Sequence, residues 1–236
     1  PYGTPSSIAI SRDGAVAVAA YGQNFALVWD LASGDLLAAL GRDDLDSIGS
    51  RIYRVDIAPD ARDMLVRRAD GEIQVWDWRE RVVRGSIRVP PEDGPWQADA
   101  ARPVGAVTCG GGVGPAMFAG TGRWIAVAVA NRVVVYDWPT GRQVNAWSGH
   151  QPHHPILGNH TGLPRILDLR VSADGHRALT VGVDASLRLW SVASGRQIWT
   201  DTPDVCCMDW GDLSADGRTV AWTGCPGTRL YSPRGA

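Results

Sequence analysis

Residues 160–199 read HTGLPRILDLRVSADGHRALTVGVDASLRLWSVASGRQIW, and this stretch decides the fold. It holds three apolar runs, ILDLRVS, ALTVGVD and SLRLWSV, then the turn ASGR and a fourth run, QIW. Short runs rich in β-branched and aromatic residues, bounded by Ser, Asp and Gly, predict four strands in an antiparallel meander. One such sheet cannot bury both of its faces, so it needs copies of itself alongside.

The copies are present in both directions along the chain. The first has SSIAIS, the turn RDG, AVAVAAY, FALVWD ending at Trp29 and Asp30, then LASG and DLLAAL. The second offers IYRVDIAPDA, MLVRRAD, EIQVWDW with Trp76 and Asp77, and RVVRGSI. The third has PAMFAGTGR, WIAVAVA, RVVVYDW with Tyr136 where Trp is expected, and RQVNAW. The fifth has CCMDWGDLSADGR, TVAWTG and TRLYS, with Tyr231 and Ser232 at the Trp-Asp position. The repeats lie at about 5–40, 51–88, 114–148, 165–201 and 205–232. Their anchor aromatics, Trp29, Trp76, Tyr136, Trp190 and Tyr231, recur every 40 to 60 residues or so, a propeller-like period. The predicted architecture over 1–236 is a single all-β propeller of four-stranded antiparallel blades. Four copies are complete and the fifth has three strands, so the expectation is a part of a larger propeller or of a longer chain. Pro1 in place of Met points the same way.

SADG followed by a strand, then the DASLRLW segment and SG, resembles the WD-repeat β-propeller family, and the resemblance extends over nearly the whole chain. It implies a buried hydrogen-bonded set of one His before the first strand, a hydroxyl on the second, an Asp in the next turn and the Trp of the third. These map to His160, Thr180, Asp184 and Trp190, with His150, which follows a Gly, in the place of the family's alternative His. The physical need is plain, since an indole N–H and a carboxylate removed from water require partners. The second copy keeps Asp70 and Trp76 but has Val66 at the hydroxyl position, and the first has Ala19 and Gln23, so those blades are expected to rest more on packing.

The composition is that of a globular chain, with 44% hydrophobic and 20% charged residues, and 28 Gly and 15 Pro suit a turn-rich protein. A net charge of -2 gives no attraction to phosphate backbones, so nucleic acid is not an expected partner. All 23 basic residues are Arg, which excludes Schiff-base lysines and phosphate-loop lysines; a Lys-free, Ala- and Gly-rich chain is the signature of GC-rich codon usage and fits a bacterial source. The longest apolar runs are too short to cross a bilayer, and no signal peptide is recognisable. No membrane association is expected, and a cytoplasmic location is the reading that follows. Cys109, Cys206, Cys207 and Cys225 form no CxxC pair and are expected as free thiols.

Function is expected in the unequal connections between blades, 41–50, 88–113 and 148–165, which the fold gathers on one rim. The residues singled out there for a partner are Trp96, His150, His153, His154, Asp43 and Asp44. The segment GHQPHHPILGNH brings His150, His153, His154 and His160 into one loop; a Zn or Ni site is one reading of it, and a partner-contacting loop is the favoured one. Asp43, Asp44 and Asp46 lack the Gly and final Glu of an EF-hand, and GGGVG at 110–114 lacks GK[ST]. No nucleophile elbow, HExxH or Cys-His pattern is found. The reading is therefore a non-enzymatic, cofactor-free and metal-free scaffold or sensor that binds a protein or peptide. The resemblance further implies a flanking effector domain in the same polypeptide. Two other readings are a propeller hydrolase or lyase with a metal held by rim His and Asp residues, and a purely structural part of a larger ring.

Overall fold

A computed structural model describes residues 4–21, 24–41, 52–68, 70–89, 114–151, 165–203, 208–224 and 227–233. Blade 1 comprises β1 (Pro5–Ile10), β2 (Val16–Tyr21), β3 (Phe25–Asp30) and β4 (Leu36–Leu40). Blade 2 is β5 (Ile52–Ile57), β6 (Asp63–Arg68), β7 (Glu72–Asp77) and β8 (Val82–Arg88). Blade 3 is β9 (Ala116–Ala119), β10 (Trp124–Val129), β11 (Arg132–Asp137) and β12 (Arg142–Ser148). Blade 4 is β13 (Ile166–Val171), β14 (Arg177–Gly182), β15 (Leu187–Ser191) and β16 (Gln197–Asp201). Blade 5 contributes β17 (Met208–Leu213), β18 (Val220–Gly224) and β19 (Gly227–Tyr231). Each sheet is a meander in chain order, four of them four-stranded and the fifth three-stranded. The five blades are arranged as a β-propeller, and the expected all-β architecture is what the chain adopts.

The turns explain the repeat. Where β1 meets β2, the Ser11 hydroxyl donates to Asp13 at 2.6 Å and accepts from the Val16 N–H at 2.9 Å, closing a tight side-chain-bonded turn. Ser172 with Asp174 and Ser214 with Asp216 repeat it, each at 2.6 Å. Gly175 follows at a φ of 75°, which a Cβ would strain; blade 2 places Ala61 at the same step at 55°. Two features were invisible to pattern reading. A register shift recurs where the first strand begins, between Ile52 and Arg54 and between Ile166 and Asp168. Another recurs at the anchor aromatic, between Val75 and Trp76, Val135 and Tyr136, and Leu189 and Trp190. Such bulges increase the local twist.

Consecutive blades bury their facing sides. Val16, Val18 and Val28 of blade 1 pack on Val55, Met64 and Trp76 of blade 2. Leu65, Ile73 and Val75 then meet Ile125, Val127 and Tyr136 of blade 3. Leu179, Val181 and Leu189 of blade 4 meet Val220 and Trp222 of blade 5. The two outer faces differ: Ile8 is 63% exposed on blade 1, and Trp210 and Leu230 of blade 5 are 54% and 72% exposed.

Candidate recognition rim

The connections from each fourth strand to the next first strand, 41–51, 89–115, 149–165 and 202–207, leave one rim, here termed the upper rim. Below it, blade 4 holds a continuous polar set. The Trp190 indole N–H donates to Thr180 Oγ1 at 2.8 Å. Thr180 Oγ1 lies 2.7 Å from His150 Nε2, and His150 Nδ1 lies 2.9 Å from Asp184 Oδ1. A proton on His150 Nδ1 is donated to Asp184, so the ring joins the Thr180 hydroxyl to the carboxylate. Asp184 also accepts from the Gln151 N–H at 2.8 Å, the Ser186 hydroxyl at 2.7 Å and Arg188 Nη2 at 3.3 Å. Burial pushes its carboxyl upward, but the bond and charge of His150 and the donors from Gln151 and Ser186 outweigh this and hold it well below the usual range.

Thr180, Asp184 and Trp190 thus meet as the sequence indicated, and the histidine among them is His150. His150 corrects the expectation of a partner-facing side chain. It is only 2% exposed, because Gly149 brings the chain against Trp190 and the ring fits between Gly182 and Asp184. His160, assigned to this set from sequence, lies outside the described residues, as do Trp96, His153, His154, Asp43 and Asp44. Gln23 and all four cysteines lie outside them too.

Blades 2 and 5 depart from this arrangement. In blade 2, where Val66 replaces the hydroxyl, the Trp76 N–H donates to Gln74 Oε1 on the same strand at 3.1 Å. In blade 5, Trp222 occupies the step that Thr180 holds in blade 4, and its N–H is buried without an acceptor.

Sequence reading missed a second polar layer, formed by the first strands across the channel. Arg54 Nη2 reaches Asp168 Oδ1 at 3.7 Å, and its guanidinium lies 5.4 Å from the centre of the Trp210 ring. Arg170 approaches Asp168 at 3.2 Å and Asp212 at 3.6 Å. Blade 2 is thereby tied across the channel to blades 4 and 5. Asp56 accepts the Phe118 N–H at 2.7 Å, and burial pushes its carboxyl up to about 6 against that bond, the Ile57 N–H and the nearby charge of Arg170. The signal was available: IYRVDI and ILDLRV put charges at alternate positions of otherwise apolar inner strands.

Among the described residues no three His, Cys, Asp or Glu side chains are grouped to hold a metal ion. None contains a helix long and apolar enough to cross a membrane. Compared with protein-family models and with curated proteins, the chain matches none.

Proposed function

We propose that this chain is a non-catalytic recognition scaffold of the WD-repeat type, which binds a protein or peptide across its upper rim. One observation carries the reading. The three longest connections between strands, 41–51, 89–115 and 149–165, all leave the same rim. Long connections gathered on a stiff sheet scaffold are the usual seat of recognition. The repeated Ser-x-Asp-Gly turns and the His150–Thr180–Asp184–Trp190 relay support the WD-repeat character. That relay turns inward and fixes the base of the 149–165 connection, so it serves the rim by holding it in place.

The test uses a triple variant, Trp96→Ala with His153→Ala and His154→Ala. Immobilised wild-type protein is expected to retain a defined partner from extract of the source cells, and the variant to retain none while melting at the same temperature. Retention unchanged by the substitutions overturns the reading. So does stoichiometric metal in untagged protein that the same substitutions remove, since that outcome belongs to the metal hydrolase.

A further inference from the structure

The repeat supplies its own control for one residue. In blade 2 the register sets Arg67 of β6 opposite Arg54 of β5. The corresponding step of the second strand is Ala20 in blade 1, Val181 in blade 4 and Thr223 in blade 5. The fold asks only for a small or apolar side chain here, and blade 2 alone of these four places an arginine.

That arginine is costly to the folded chain. Arg67 is 2% exposed, and its Nε and Nη1 are buried with no acceptor. A buried guanidinium donor without a partner carries a desolvation penalty. The acidic residues nearby are occupied. Asp70 pairs with Arg68 at 2.8 Å, Glu72 with Arg68 at 2.7 Å, and Asp168 sits between Arg54 and Arg170. Burial is the main cause that lowers the Arg67 guanidinium to about 10, with Tyr136 of blade 3 and the charge of Asp70 acting against it, so it stays charged at neutral pH. The Arg67 guanidinium, buried with unused donors, sits one step before the β6–β7 turn at the upper rim. An oxygen-rich anion supplies what it lacks: acceptors for the free N–H groups and a charge to balance its own.

We infer that Arg67 forms an oxyanion site between blades 2 and 3 at the upper rim, taking a carboxylate or phosphate group. The site stands independently of whether the rim binds a protein.

The test is titration of the whole chain with inorganic phosphate and, separately, with acetate, against chloride at matched ionic strength to remove general screening. Calorimetric binding and melting temperature are read together. At least one anion is expected to bind saturably and raise the melting temperature of the wild type. Response to phosphate alone assigns a phosphate group, response to acetate alone a carboxylate, and response to both the shared chemistry. Arg67→Met is expected to weaken binding by at least about tenfold and, in chloride, to melt no lower than the wild type, because it removes an unpaired buried charge. Absence of saturable binding of either anion to the wild type overturns the inference, whether or not the variants fold. Undiminished binding by Arg67→Met overturns it as well.

Discussion

Blades 4 and 2 bury a tryptophan at the same step of the repeat, yet they treat the polar groups around it in opposite ways. In blade 4 the N–H of Trp190 starts a relay through Thr180 and His150 to Asp184, and the carboxylate at its end collects further donors from Gln151, Ser186 and Arg188. In blade 2 the N–H of Trp76 is answered locally by Gln74, the turn residue Asp70 is an exposed partner of Arg68, and the half-buried Asp56 and the buried Arg67 sit on the other face. The indole needs only one acceptor. A long relay is therefore not required by the tryptophan, and its use in blade 4 is to bind the start of the 149–165 connection to the blade through His150 and Gln151.

The largest effect tests this contrast directly. Asp184→Ala leaves His150, Ser186, Arg188 and the Gln151 N–H without their common acceptor, and is expected to cost about 3 kcal/mol, as for breaking other buried pairs. That corresponds to a fall in melting temperature of roughly 6 to 12 °C for a chain of this size. Asp70→Ala removes one partly exposed ion pair and the Glu72 N–H bond, and is expected to cost less than about 1 kcal/mol. Thermal melts of the two variants side by side check it. Equal losses would mean that the relay contributes no more than a surface turn.

The same contrast shows what could be read in advance. Strand number and blade order follow from alternation and from the turn signals, because those depend on residues close together in the chain, whereas the Thr180, Asp184 and Trp190 members of the relay were implied by the family resemblance of the repeat. The choice of His150 does not. His150 and His160 both precede β13, and only the fit of Gly149 against Trp190 and of the ring against Gly182 selects between such candidates. The cross-channel ties of Arg54 to Asp168 and Trp210 depend on closure of the blades around an axis, which no local pattern encodes. Gln74 as a substitute acceptor lies two residues before Trp76 on the same strand, a local signal that the reading by repeat did not weigh.

Acidity separates the two blades by sign. Asp56 is raised from 3.8 to about 6 by burial, so the folded state holds its proton longer than the unfolded chain does. Stability from this group is therefore present at low pH and lost as pH rises from about 4 to about 6. Asp184 is lowered, so its contribution is present above the ordinary carboxyl value and lost as pH falls below it. Asp56→Asn keeps an oxygen for the Phe118 N–H and removes the titration. It is expected to raise stability above pH 6 by up to about 3 kcal/mol, and to leave stability near pH 4 little changed. Denaturant unfolding of wild type and variant across this range measures the difference. A constant offset at every pH would mean that the carboxyl does not titrate in that window.

The smallest effect extends the comparison to blade 5, where Trp222 takes the step of Thr180. Trp190→Phe and Trp222→Phe remove the same indole nitrogen and a similar volume from two buried sites, so the loss of packing is common to both. They differ in the hydrogen bond: Trp190 donates to Thr180 at 2.8 Å, whereas the Trp222 N–H has no acceptor. Phenylalanine also keeps an aromatic face for Arg229, which lies 5.9 Å from the Trp222 ring. Trp190→Phe leaves the Thr180 hydroxyl short of one donor and is expected to cost about 1 kcal/mol more than Trp222→Phe. The latter relieves an unpaired buried N–H and offsets part of its own packing loss. Measured by denaturant unfolding, a larger cost for Trp222→Phe would show that the blade 5 indole has a partner in solution, and that blade 5, like blade 2, has found its own acceptor in place of the relay.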